Sequence, residues 1–176
     1  MTIPYVELHC HSGFSFLDGA SHPEELVMRA VELGYPALAL TDHNGLYGSM
    51  EFAQAARQAN LQPITGAEVT LRECFTGVDE PEGGHHVTLL AETAQGYANL
   101  CRLLTETHMH SERGDARLPL ESLLRLPEGL ILLTGCRKSP VAAALDSSVA
   151  DAEAFTSRLI SAFGPGNVFV ELQDNA

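Results

Sequence analysis

The sequence predicts an α/β fold in which helices cover a mainly parallel sheet. Short apolar segments alternate along the chain with segments whose apolar residues repeat every three or four positions, and the links between them are short. His9, His43 and Cys136 each follow a predicted strand, and the carboxyl ends of parallel strands share one edge of a sheet. An open doubly wound sheet and a closed barrel both fit this alternation. Residues drawn from several strands favour the barrel, and the absence of GxGxxG and GxxxxGKS/T motifs weakens the case for a nucleotide-binding open sheet.

The first predicted elements are a short strand, a helix and a buried strand. The strand is predicted at residues 5–9. Ser21 and Glu24 have the spacing of a capping box at the start of the helix, and Gly34 suits the position after its last turn. The apolar run Ala37–Leu40 follows at once and predicts the buried strand.

The later elements repeat the same alternation. Their predicted order is a helix at 49–59, a strand pair around 63–71, a polar loop at 73–84, a strand at 87–91, a helix capped by Thr93, a strand at 129–133, a helix at 152–163 that ends at Gly164, and a strand at 168–172. In the helix after Thr93, the residues Tyr97, Leu100, Leu103 and Leu104 fall on one side and predict its buried face.

Composition indicates a single cytoplasmic domain. The 176 residues are 45% hydrophobic, enough for one sizeable core. No apolar stretch approaches the roughly 20 residues that cross a bilayer, and the N-terminus has no signal-peptide pattern. The four cysteines form neither a CxxC pair nor a compact disulfide framework, so we expect reduced thiols. A formal charge of −13 argues against unaided binding of DNA, which would need bound metal or a basic partner.

The residues near the N-terminus predict a metal site. His9 and His11 are two apart, and side chains two apart point the same way from an extended chain. Asp18 and His43 follow at the ends of nearby segments. Imidazole together with carboxylate is the donor set of zinc, manganese and iron sites.

Further candidate positions follow along the chain, and the full set is His9-x-His11, Asp18, Asp42-His43, Glu68 in Gly66-Ala67-Glu68, His86, and Cys136 after Thr134-Gly135. Taken together, these positions resemble the PHP family of polymerase and histidinol phosphatase domains. The local sequence is most similar to the N-terminal PHP domain of bacterial C-family DNA polymerases, in the error-prone branch of polymerase III α subunits. That likeness is carried by the segments 16–20 (FLDGA), 41–48 (TDHNGLYG) and 135–138 (GCRK).

The resemblance implies a distorted (β/α)7 barrel holding two or three divalent ions, with zinc or manganese favoured and iron as a further option. The metal ligands it implies are His9, His11, Asp18, His43, Glu68, His86 and Cys136. The family's last motif, Asp-x-His, has no counterpart before Ala176. Residues 1–176 are therefore expected to form the N-terminal portion of the barrel, and the strand edge near 168–172 is expected to pair with another chain.

The implied function is a metal-dependent phosphoesterase that serves an error-prone DNA polymerase in replication and repair, acting as a 3′–5′ exonuclease through metal-activated water. DNA would arrive through the polymerase core, on the same polypeptide or another subunit. Asp18 or Glu68 would bridge two ions, and Asp42 or Thr41 would orient imidazoles. Arg137 and Lys138, an adjacent basic pair, would receive substrate phosphate or simply lie in a solvated loop. This chain alone is expected to be weakly active or inactive.

Two other functions stay open from the sequence. The domain could be a structural module that docks on a polymerase core without catalysis, or a free-standing phosphatase acting on a small phosphomonoester such as histidinol phosphate. Taken singly, His86 would be a surface residue, Cys136 a small buried hydrophobe and Glu68 a charge on a strand face. The histidines assigned to loops or the surface are His22, His108 and His110.

Overall fold

The structure is a computed structural model that describes residues 5–72, 74–75 and 84–173. These residues form two compact units, Met1–Ala67 and Glu68–Ala176. The helices are α1 (Pro23–Glu32), α2 (Ser49–Gln58), α3 (Ala94–Met109), α4 (Leu120–Arg125), α5 (Pro140–Ser147) and α6 (Val149–Phe163). The strands are β1 (Ala37–Leu40), β2 (Gln62–Arg72), β3 (His85–Ala91), β4 (Leu118–Pro119), β5 (Leu130–Leu133) and β6 (Val168–Phe169). Most of the predicted polar loop at 73–84 lies outside the described residues.

In the first unit, two helices and a parallel strand pair enclose a small core. β1 pairs in parallel with residues 62–65 of β2, and α1 packs against α2. The core residues are Val27, Ala30, Leu38, Leu40, Phe52, Ala56 and Leu61. Their burial follows from the helical spacing in α1 and α2 and from the apolar run of β1, as the sequence predicts.

The start of α1 differs by one residue from the prediction. Pro23 is the first helical residue, so the cap is His22 and not Ser21. The backbone N–H of His22 donates to the Glu25 carboxylate at 2.8 Å, which replaces the predicted role of Glu24. The helix ends as predicted, because Gly34 takes a positive φ of 73° just beyond it.

The predicted strand at 5–9 is reduced to a single parallel bridge between Glu7 and Leu38. The segment still runs beside β1, since Ala39 N–H donates to the Glu7 carbonyl at 2.9 Å and Thr41 N–H donates to the Cys10 carbonyl at 2.9 Å. The Thr41 hydroxyl also accepts from the Cys10 N–H at 3.0 Å. These bonds place the backbone of His9 and His11 beside the end of β1.

The second unit contains a mixed sheet, whose antiparallel pair of β3 and β5 the sequence did not predict. Its strand order is β2-β3-β5-β6, with β4 beside β2. β3 and β5 are antiparallel, whereas β5–β6 and β2–β4 are parallel. The short elements β4 and α4, between α3 and β5, were missed because each is too brief to show a period. The predicted strand pair at 63–71 is one continuous strand, β2.

The helices of the second unit keep close to their predicted positions. Thr93 caps α3, its hydroxyl accepting from Gly96 N–H at 3.0 Å, and α3 contacts β3 and β5. Leu100, Leu103 and Leu104 are buried as predicted, but Tyr97 is 43% exposed. α5 was missed because it precedes α6 without a loop, the two being separated only by the capping residue Ser148.

Two further observations concern membrane-spanning helices and disulfides. In the part of the chain that the structure describes, no helix combines the length and the apolar character that a membrane span requires. No described cysteine is joined to another in a disulfide, in agreement with the spacing of the four thiols.

Candidate metal centre

Two imidazoles of the first unit converge on one carboxylate oxygen. Oδ2 of Asp18 lies 2.9 Å from Nδ1 of His11 and 2.9 Å from Nε2 of His43. The three donor atoms fall within 4.8 Å of one another. The rings of His11 and His43 have centroids 4.4 Å apart, and the ring of His9 is 5.1 Å from that of His11. Four residues spread over thirty-five positions of sequence, from 9 to 43, are thus gathered at the end of β1.

The electrostatics of this cluster favour an ionised carboxylate. Hydrogen bonds to His43 and to His11 lower the pKa of Asp18 from its ordinary value, and they outweigh the opposing effect of partial burial. The Asp18 side chain is 58% exposed, while those of His11 and His43 are 16% and 27% exposed. The carboxylate is therefore the solvent-facing member of the cluster.

Asp18 reaches the imidazoles because the segment 12–19 forms a tight turn. The N–H groups of Asp18 and Gly19 both donate to the Ser15 carbonyl, at 3.1 and 2.9 Å. A Cβ on Gly19 would lie 2.0 Å from the Ser12 carbonyl oxygen, so only glycine allows this approach. Leu17 takes a positive φ of 68°, which is uncommon for a residue with a side chain.

Asp42 supports this turn, and its hydrogen bonds among the described residues go to two serines and not to an imidazole, so the orienting role expected of it stays a prediction. Its carboxylate accepts from Ser12 N–H at 2.7 Å, Ser12 hydroxyl at 2.8 Å and Ser15 hydroxyl at 2.7 Å. Sequence reasoning missed both serines. The sequence could have indicated them because both are small hydroxyl residues that lie between the candidate ligands His11 and Asp18.

The second unit contains a buried acid and imidazole pair. Oε1 of Glu68, the first residue of the unit, lies 2.5 Å from Nδ1 of His86. Glu68 is 2% exposed and His86 is 7% exposed. Burial of a charged group is unfavourable without such a partner, so the contact explains how both side chains stay inside. Its neighbour His85 is also buried, and its ring packs edge-on to Phe75 with centroids 5.6 Å apart.

The loop that carries Cys136 passes directly over the start of β3. The His86 N–H donates to the Lys138 carbonyl at 3.2 Å, and the Cys136 thiol accepts from the Lys138 N–H at 3.4 Å. Gly135 has a φ of 85°, and a Cβ there would lie 2.7 Å from the His86 carbonyl oxygen. Arg137 and Lys138 are both exposed.

The structure also shows where Cys136 lies, and where the histidines assigned to loops or the surface lie. The thiol of Cys136 belongs to no close group of three His, Cys, Asp or Glu donors among the residues described, although its backbone adjoins His86. His22 is the exposed cap of α1, and His108 lies in the last turn of α3 with His110 just beyond it. No donor group of that kind includes these three histidines within the described ranges.

The donor chemistry of the first unit fits a divalent metal ion. Two imidazole nitrogens and a carboxylate oxygen suit zinc, manganese and iron, and the low pKa of Asp18 keeps the oxygen anionic at neutral pH. In the second unit the Glu68 carboxylate and the His86 imidazole offer donors of the same kinds.

Comparison with known proteins gives consistent matches. The model of the PHP domain family matches residues 7–175. An error-prone DNA polymerase of Cutibacterium acnes is 45% identical over 183 residues, which covers 98% of this chain and 16% of that protein. An error-prone DNA polymerase of Symbiobacterium thermophilum is 43% identical over 187 residues, covering 97% of this chain and 16% of that protein. The chain thus spans about one sixth of the length of these relatives.

A solved structure shows a weaker likeness. It is a two-domain protein from Bacteroides vulgatus that contains a predicted PHP-like metal-dependent phosphoesterase. The match has a TM-score of 0.48 and 15% identity, and it covers 81% of this chain and 41% of that one.

Proposed function

The chain belongs to the PHP domain family, and we propose that it is the metal-dependent phosphoesterase domain of an error-prone DNA polymerase. The observation that carries the proposal is the shared Asp18 carboxylate, 2.9 Å from the imidazoles of His11 and His43. Such a cluster has no evident structural purpose, because its carboxylate is exposed and contributes little to the core. The error-prone DNA polymerases at 45% and 43% identity support the polymerase context.

The residues that would hold metal fall into two groups, one in each unit. His9, His11, Asp18 and His43 lie in the first unit, and Glu68, His86 and Cys136 lie in the second, where Cys136 is included by its motif alone. A divalent ion supplies Lewis acidity toward phosphoryl oxygens and makes water a stronger acid at neutral pH. The Asp18 carboxylate is ionised at neutral pH, as an aspartate with an ordinary pKa would be, and the hydrogen bonds that lower its pKa favour the same form.

The remaining parts of the proposal concern substrate and fold. The substrate is the 3′-terminal phosphodiester of DNA, which the polymerase body delivers because a chain of charge −13 does not attract DNA by itself. Arg137 and Lys138, exposed beside Cys136, contact the substrate phosphate. The alternating elements form part of the family's distorted (β/α)7 barrel.

One observation favours a second candidate, a structural module without catalysis. Glu68 and His86 already lie within ion-pair distance of each other, at 2.5 Å. A domain in which such pairs have replaced ion binding would stabilise a polymerase without hydrolysing DNA. A free-standing phosphomonoesterase is the third candidate, and the polymerase names of the relatives weigh against it.

The deciding experiment offers the chain two substrates after loading with Mn²⁺ or Zn²⁺. The substrates are single-stranded DNA labelled so that 3′ shortening is visible, and a panel of phosphomonoesters. Asp18→Asn removes the shared carboxylate, and Asp146→Asn, at an exposed position of α5, is the matched control.

Because this chain alone is expected to have little activity, we expect at most slow stepwise 3′ shortening by the wild type and by Asp146→Asn, and none by Asp18→Asn. Turnover of monoesters alone would replace the exonuclease with a small-molecule phosphatase. Metal uptake without turnover of either substrate would favour the structural module.

A further inference from the structure

Asp42 is a buried carboxylate whose partners all lie on the turn that carries Asp18. Asp42 is 2% exposed, and its oxygens accept from the N–H and hydroxyl of Ser12 and from the hydroxyl of Ser15. All three distances are 2.7 or 2.8 Å, in the short range of bonds to an ionised acceptor. Ser12 and Ser15 are themselves fully buried.

Ser15 connects this carboxylate to two of the candidate ligands. Its hydroxyl donates to Asp42 and accepts from the backbone N–H of His43 at 3.1 Å. Its carbonyl accepts from the backbone N–H of Asp18 at 3.1 Å. One serine therefore sets the backbone position of both Asp18 and His43.

The backbone conformation of this turn is unfavourable at Leu17, so it needs stabilising contacts from the surrounding residues. Leu17 is at φ 68°, a region that disfavours residues with a Cβ, and its side chain is fully exposed and gains nothing from packing. Such a conformation persists only where surrounding contacts over-determine it. The hydrogen bonds of Asp42 to Ser12 and Ser15 reach this turn from the residues that follow β1, together with the bond from the His43 N–H to the Ser15 hydroxyl.

We propose that Asp42 is a positioning residue that acts through Ser12 and Ser15 to place the Asp18 carboxylate against His11 and His43. The inference rests on the proposed function in treating these three side chains as metal ligands. Asp42 is not itself a ligand in this arrangement. Asp42 keeps the three ligands in their binding arrangement before a metal ion arrives, so that binding does not first require the turn to be ordered.

The test compares variants that loosen the turn with a control that loses a similar hydrogen bond elsewhere. Ser15→Ala removes the link between Asp42 and the His43 N–H, and Asp42→Asn removes the charge while keeping the shape. Ser122→Ala is the control, because the buried Ser122 hydroxyl also donates to a carboxylate, that of Glu106, in the second unit. Urea denaturation in chelator first establishes the stability of each variant.

Two readouts separate positioning from plain stability. The first is hydrogen exchange of the Asp18 and Gly19 amides in metal-free protein, expected to accelerate about tenfold or more in Ser15→Ala and Asp42→Asn but not in Ser122→Ala. The second is the affinity for Mn²⁺ and Zn²⁺ by titration calorimetry, expected to fall about 10- to 100-fold in the same two variants.

The outcomes distinguish this inference from the proposed function. Unchanged exchange at Asp18 and unchanged metal affinity in Asp42→Asn would overturn the positioning role. Failure of the wild type to bind either metal would overturn the metal site alone, and the exchange readout would still decide whether Asp42 holds the turn. If Ser15→Ala does not fold, Asp42→Asn carries the same comparison.

Discussion

Oε1 of Glu68 and Nδ1 of His86 lie 2.5 Å apart, with both side chains buried in the second unit. A buried carboxylate that loses its partner keeps an uncompensated charge, and this effect is larger than the loss of the attraction itself. We therefore expect the pair to contribute to the stability of the fold, whether or not it also binds a metal ion.

Replacing His86 with alanine should destabilise the chain by about 3 kcal/mol in the presence of chelator. Glu68→Gln/His86→Ala should recover part of that loss, since the neutral amide no longer leaves a buried charge. Urea denaturation of the single and double variants measures both quantities. A loss below about 1 kcal/mol for His86→Ala would mean that the pair carries little charge.

The contribution of Asp18 to stability should disappear at acid pH. Its hydrogen bonds to His43 and His11 lower its pKa in the folded state, so the contribution is complete above the unfolded value of about 3.9. It is lost as the pH falls through the lower, folded pKa. Because Asp18 is 58% exposed, we expect an effect below about 1 kcal/mol.

Melting temperatures of the wild type and Asp18→Asn between pH 3 and 6 test this behaviour. The two curves should converge at the acid end, and 0.5 M salt should reduce their difference near pH 6. Asp146→Asn should track the wild type throughout. A constant offset between wild type and Asp18→Asn across the range would rule out the titration as its cause.

A methyl group at Gly19 should distort the turn that presents Asp18. The added Cβ would lie 2.0 Å from a backbone oxygen of Ser12, which cannot move aside as a flexible side chain would. Gly19→Ala should cost about 1–3 kcal/mol and weaken Mn²⁺ binding. Gly166→Ala, where a Cβ meets nothing within 4 Å, is the control and should change neither. Equal affinities in the two variants would contradict the role given to this turn.

Gly135 allows a different test, on the loop that carries Cys136. Gly135 and Gly114 share a positive φ, 85° and 89°, but only Gly135 faces an obstacle, the His86 carbonyl oxygen at 2.7 Å from a built Cβ. Both alanine variants carry the same backbone strain. Gly135→Ala should be less stable than Gly114→Ala by about 1–3 kcal/mol, the cost of overpacking. Equal losses by denaturant titration would show that the loop moves away freely.

The strand edge at β6 should drive self-association. β6 is the last strand in the order of the described sheet, and Val170 and Leu172 beyond it are 67% and 90% exposed. Unpaired edges with apolar neighbours pair with other chains. Light scattering should show concentration-dependent dimers, reduced by Val170→Lys. A monomer at high concentration would count against this edge as an interface.

Much of the local structure could be predicted from the sequence, because periodicity and end signals are local properties. Ala37–Leu40 is a strand with the predicted bounds, α2 differs by one residue, and Thr93 caps α3 as its spacing predicts. The cap of α1 moved by one residue because Pro23 determines where the helix begins. The direction of β5 against β3 has no local signal, so the mixed sheet could not be predicted.

The sequence by itself determined the family and the chemical types in the site. The resemblance rested on the spacing of His9 and His11 and on the motifs around Asp18, His43, Glu68, His86 and Cys136. The match of the PHP family model to residues 7–175 confirms it. That these residues bind metal stays a prediction. Side-chain identity is enough to name the donor atoms, because donor type belongs to the residue, whereas binding also depends on how the donors are arranged.

Only the tertiary structure decided which atoms meet. Asp18 reaches His11 and His43 because Ser12 and Ser15 are held by Asp42, which lies 30 and 27 positions away from them, respectively. No local pattern reports a hydrogen bond over that separation, since it depends on the path of the backbone between β1 and the turn. For the same reason the sequence could not show that Asp42 is hydrogen-bonded to the serines of the turn that carries Asp18.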